Sequence, residues 1–148
     1  MSPEFKDLAK RVIKCPHWEW MPGMKALREN NFGELIETRF IENHRVELNS
    51  LDDCANQKIG SAYPNMYSWN NLPGFLPDLS DPATMGCLLH LVRKAWKCED
   101  LSTELASRAV LHKPGWCLEF EGTEERPSRA WYGASEAEVL VLALEHLK

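Results

Sequence analysis

The residues of this 148-residue chain that could do chemistry are five cysteines, five histidines and six tryptophans. Cys87 and His90 are three positions apart, so on a helix they share a face, with Cys98 further along. Structural zinc needs about four converging ligands, usually including a close pair such as CxxC. The chain has no CxxC. Cys87 therefore reads as a small buried hydrophobe and His90 as a helix-surface or partly buried residue, and no metal is expected. An odd cysteine count at irregular spacing fits free thiols in a reducing compartment. Cys15 lies near His17 in sequence, but a nucleophile needs a histidine that converges on it in space. Asp52-Asp53 and Glu124-Glu125 read as solvated loop charges. P-loop, GxGxxG, HExxH and GxSxG patterns are absent, so neither a catalytic residue nor a cofactor is assigned.

The aromatic residues are more suggestive. Trp96, Trp116 and Trp18 occupy positions that suit a core. Trp20, Tyr63, Tyr67, Trp69 and Trp131 fall in loops or at strand ends, where packing needs them less. Aromatic faces stack on bases and other planar groups, at about 1–3 kcal/mol per base in single-strand binders. Arginines can hold a phosphate bidentately. Arg39, Arg45 and Arg129 fall on expected strands and complete a candidate ligand-binding set; Arg108 and Arg126 are further forks. Surface solubility is the competing reading of each arginine.

These residues must be positioned by recognisable elements. Ser2-Pro3 opens a helix carrying Phe5, Leu8, Ala9, Val12 and Ile13, which stops at Cys15-Pro16. Within His17 to Met24, Trp18 and Trp20 alternate with His17 and Glu19 as a short extended segment, and Pro22-Gly23 marks a turn. Glu34 to Phe40 and a return through Val46 and Leu48 predict a hairpin around Glu42-Asn43-His44. Asn49 to Leu79 is irregular and aromatic-rich; stretches of this length inside a domain tend to be functional or mobile. Asp81 caps a helix with Pro82 in its first turn, and Met85, Leu88, Leu89, Val92, Ala95 and Trp96 form its apolar side. Leu101, Leu105 and Ala109 fit a helix, while Arg108 to His112 fits a strand equally. Trp116, Leu118 and Phe120 alternate as a strand, Arg129 to Tyr132 pairs back, and Ser135 with Glu138 boxes a last helix.

Helices and strands joined by short turns, without βαβ alternation, imply an α+β fold with a mainly antiparallel sheet covered by two or three helices. Length and composition fit a single domain over residues 1–148. The net charge of −5 disfavours non-specific nucleic-acid binding. No apolar run reaches the roughly 20 residues of a membrane span, and the first residues lack a signal-peptide core. A homodimer is compatible with a chain of this size.

Three segments carry a resemblance. WEWMPGM (Trp18 to Met24), LPDLSDPATMGCLLHLVRKAW (Leu76 to Trp96) and GASEAEVLVLALEHL (Gly133 to Leu147) are similar to small phage-encoded accessory proteins of unknown function. The resemblance implies a setting, the cytoplasm of a host bacterium, rather than a reaction, and by analogy a role in countering host defence. The expected function is a non-catalytic module that sequesters a small nucleotide-like ligand between the His17–Met24 segment and the Tyr63–Trp69 loop. The alternative is a protein–protein inhibitor acting through an acidic or aromatic face, and a third is a small hydrolase or transferase.

Overall fold

A computed structural model of the chain describes residues 2–29, 35–41, 45–49, 74–106 and 115–147. The fold is α+β, with three helices and two antiparallel sheets among the described residues. They belong to two compact units, one of Met1–Ile13 with Glu19–Cys87 and one of Lys14–Trp18 with Leu88–Lys148.

In the first unit, helix α1 (Pro3–Val12) starts as its sequence dictates. The Ser2 hydroxyl accepts the Phe5 N–H at 3.3 Å, and Pro3 sits where a missing N–H costs nothing. Leu8, Ala9 and Val12 are buried, whereas Ile13, at the end of the helix, is 36% exposed. Residues 13–17 form turns, with the Trp18 N–H on the Cys15 carbonyl, and residues 18–21 are irregular and form no strand; Lys14–Trp18 belong to the second unit. The Pro22-Gly23 turn is present, and Gly23 takes φ +95°, a left-handed value that suits glycine.

Strands β1 (Lys25–Glu29), β2 (Leu35–Ile41), β3 (Arg45–Asn49) and β4 (Leu76–Pro77) form a sheet ordered β3-β2-β1-β4. The β2–β3 pairing is the hairpin expected from the sequence. Strand β1 was not legible there. Ala26 and Leu27 are both buried, so this central strand is covered on both faces and shows no alternation. Pro77 is tolerated because β4 is a short edge strand, pairing with β1 alone among the described strands.

Helix α2 (Pro82–Trp96) contributes residues through Cys87 to the first unit and those from Leu88 to the second. Its fully buried row is Thr84, Leu88, Leu91, Val92 and Trp96; Met85, Leu89 and Ala95 are half-buried at its margin. Sequence reading placed Met85 and Leu89 within the stripe because a threonine does not look like a core residue.

In the second unit, strands β5 (Thr103–Ala106), β6 (Gly115–Phe120) and β7 (Arg129–Gly133) form an antiparallel sheet in that order. Helix α3 (Glu136–Glu145) packs on all three strands. Its N-terminus is boxed by Ser135, whose hydroxyl accepts the Glu138 N–H at 3.2 Å, while the Glu138 carboxylate accepts the Ala134 N–H at 2.7 Å. Leu118, Phe120, Trp131 and Trp96 bury beside the apolar side of α3. The Trp96 ring stands 5.0 Å from Phe120 and 4.9 Å from Trp131, the latter edge-on.

The ends of the helices explain several polar contacts. The last four carbonyls of a helix have no partner within it. In α2, Lys97 adopts φ +54° and closes the end: its N–H reaches Lys94 O, and the Cys98 N–H reaches Arg93 O. Arg126 lies over the Trp96 ring and donates to Ala95 O at 3.2 Å. In α3, the Trp96 indole N–H supplies Ala143 O at 3.0 Å.

Candidate functional site

Two constellations of functional side chains stand out, one in each unit. The first clusters around the start of α2. Register places Lys25 opposite Arg39 and Leu27 opposite Glu37, so Lys25, Glu37 and Arg39 share one face of the sheet. Lys25 Nζ bridges Glu37 (3.0 Å) and the buried Asp78 (3.3 Å). Arg39 grips Asp81 through two guanidinium nitrogens, at 2.8 and 3.4 Å, and donates to Gly23 O at 2.7 Å.

Asp81 also accepts the Thr84 N–H and the Thr84 hydroxyl, both at 2.9 Å. That hydroxyl, fully buried, accepts the Lys25 N–H at 2.8 Å and so ties the helix N-terminus to β1. Burial alone would raise the Asp81 pKa, but Arg39 and the two Thr84 donors outweigh it and hold the carboxyl below its usual range. Glu37, with Asp78, keeps the Lys25 ammonium above its usual value despite burial. Each charge here is matched by an opposite one, so the arrangement acts as a clamp between helix and sheet.

The second constellation is the side of the β5-β6-β7 sheet opposite the core residues Leu118, Phe120 and Trp131. Opposed residues of paired strands project to the same side, and register sets Glu104, Cys117 and Tyr132 in one row across the three strands. Glu119 and Ala130 form the next row, and Glu121 and Ser128 lie just beyond the paired ends of β6 and β7. Glu104, Glu119, Glu121 and Ser128 are exposed, and Tyr132 is 37% exposed. Cys117 lies shaded between its neighbours, at 9% exposure. Burial pushes its thiol pKa up, and the charges of Glu119 and Glu104 add to the shift. Among the described residues none of the three glutamates forms an ion pair. An open depression of about 320 Å³ at the hairpin end is lined by Glu119, Glu121, Ser128, Ala130, Phe120 and Arg129.

The residues expected to bind a ligand are distributed as follows. Trp20, at 6% exposure, and Arg39, engaged by Asp81, belong to the first unit. Arg129 and Trp131 belong to the second. Arg129 is exposed opposite Phe120, and Trp131 is 5% exposed, with its ring on Trp96 and its indole N–H on His146 Nδ1 at 3.4 Å. Arg45 lies in β3 opposite Ile41, and its side chain is outside the described set. Tyr63, Tyr67 and Trp69 lie outside the described residues.

Cys87 is half-buried with its thiol on Pro22 O at 3.7 Å, and burial, with Asp81, raises its pKa. His90 is exposed. Among the described residues no three His, Cys, Asp or Glu side chains are grouped to hold a metal, and no helix is long and apolar enough to cross a membrane. Comparison of the chain with protein-family models, curated proteins and solved structures yields no match.

Sequence reading missed the outer face of the second sheet. The signal was present in the polar members of the β6 alternation, Cys117, Glu119 and Glu121, which were used only to recognise a strand. Asp81 was recognised as a cap but not as the partner of Arg39, a pairing that depends on a register the sequence does not encode locally.

Proposed function

We propose that the chain is a non-catalytic binding protein, of the phage accessory kind its segments resemble, and that it acts on a host protein through the outer face of the β5-β6-β7 sheet. The observation that carries this reading is Tyr132, 37% exposed on edge strand β7, on the same side of the sheet as the exposed Glu104 and Glu119. An amphipathic aromatic ring fixed on a strand loses little rotamer freedom on contact, and tyrosines are enriched among interface residues that dominate binding. Countering host defence is the context the resemblance supplies. The competing reading, capture of a nucleotide-like ligand, draws on Tyr63, Tyr67 and Trp69; of the other residues assigned to it, Trp20 and Trp131 are packed inside and Arg39 is held by Asp81.

The test places a photo-crosslinking amino acid at Tyr132, and separately at the exposed Asp7 on α1, in the chain expressed in bacteria. A discrete protein adduct from position 132, with none from position 7, is the expected result. An absence of adducts from 132, together with a melting temperature raised by a nucleotide, would overturn the reading in favour of the small ligand.

A further inference from the structure

We infer that the partner segment received by this sheet face is cationic, an extended stretch bearing lysines or arginines. The inference rests on the proposed binding face and names its partner's chemistry. Three observations carry it. Glu104 and Glu119 are exposed on one side of a single small sheet and Glu121 is exposed just past the end of β6, all without an ion pair among the described residues. The other strand members of that side, Ala106, Gly115, Cys117, Ala130 and Tyr132, add no positive charge; Arg129 alternates to the other side with Phe120 and borders the depression at the hairpin end. The aromatic ring stands at the edge of this charge: Tyr132 on β7 is diagonal to Glu119 on β6 and shares a row with Glu104, two strands away. A ring and carboxylates on one face can receive the cations of a single extended segment, combining cation–π attraction with charge pairing.

The contrast with the first unit is informative. There Lys25 and Arg39 occupy the sheet face with Glu37, and each carboxylate is matched. On the second sheet Glu104 and Glu119 are diagonal neighbours on β5 and β6, roughly 7–8 Å apart, with no ion-paired cation among the described residues, so their like charges repel. A cationic partner relieves that repulsion. Complementary charge of this kind acts mainly on the association rate and on partner choice, and it weakens as salt rises.

The experiment measures binding of a lysine-rich decapeptide probe to the purified full chain by calorimetry, at low and at moderate salt. Three chains are compared: the unaltered protein, the variant Glu104→Lys/Glu119→Lys/Glu121→Lys, and a variant matched in net charge, Asp7→Lys/Glu99→Lys/Asp100→Lys. All six positions are exposed, and thermal melts confirm that each variant folds. The expected result is a loss of affinity of about tenfold or more in the sheet-face variant and about twofold in the matched control. Tyr132→Ala lowers affinity without altering the salt dependence.

Equal loss in both charge variants would show that only net charge matters and would overturn the inference. So would calcium occupying the face while the peptide does not bind. If the crosslink from position 132 persists in the charge-reversed variant, the face binds a protein but the cationic assignment fails. If the crosslink is absent from the unaltered face, the functional proposal itself fails. The two failures are therefore distinguishable.

Discussion

Removing Asp81 tests the clamp at the start of α2 most directly. Its carboxylate does two things: it caps the helix through Thr84, and it pairs with Arg39. Loss of an N-cap costs about 1 kcal/mol. The ion pair is half open, with side-chain exposures of 42% for Arg39 and 12% for Asp81. It is therefore assigned the surface value of roughly 0.5–1 kcal/mol rather than a buried one. The Thr84 hydroxyl, fully buried, loses one acceptor but retains Lys25 O at 3.5 Å. Asp81→Ala is thus expected to destabilise by about 1.5–2 kcal/mol in all. Asp81→Asn, which still offers an oxygen to the Thr84 N–H, is expected to cost about 1 kcal/mol.

Urea unfolding followed by tryptophan fluorescence reads both values. A double-mutant cycle with Arg39→Met isolates the pair. The pH dependence has a definite sign. The folded-state pKa of Asp81 lies below its unfolded value, so the stabilisation is fully present above the unfolded pKa near 4 and is lost as pH falls through the lower, folded value. The difference between the wild-type chain and Asp81→Asn is then flat from about pH 5 to 7 and shrinks at more acidic pH. An Asp81→Ala chain within about 0.5 kcal/mol of wild type, or a difference that grows on acidification, would refute the reasoning.

Three further sites follow from backbone conformation and aromatic packing. Gly122 has φ +89°, and an added Cβ there would stand 2.7 Å from Ser128 N, so Gly122→Ala is expected to cost more than about 1 kcal/mol. Lys97→Gly should instead stabilise by roughly 0.5–1 kcal/mol, since Lys97 holds φ +54° at the end of α2; thermal melts of the two variants should move in opposite directions. Trp96→Phe leaves the Ala143 carbonyl without its indole donor and is expected to cost about 2 kcal/mol, against roughly 3–5 for Trp96→Ala, as read by chemical denaturation followed by circular dichroism.

What the sequence disclosed and what it concealed divide along a physical line. Caps, turns and one-sided elements were legible because their signals are local: Ser2, Asp81 and Ser135 each accept the N–H three residues on, and Trp116-Leu118-Phe120 marked β6 by alternation. Strand β1 was hidden because Ala26 and Leu27 are buried on successive positions. Thr84 was hidden because its burial depends on Lys25, fifty-nine residues away along the chain. The candidate site was harder for the same reason. Trp131 and Arg39 have the right chemistry for a ligand, yet their partners, Trp96 and Asp81, lie far off in sequence and occupy them. Glu104, Glu119 and Tyr132 look unremarkable one at a time. Antiparallel register brings them onto one side of the sheet, and their meaning as a binding face resides in that pairing, which composition and periodicity do not contain.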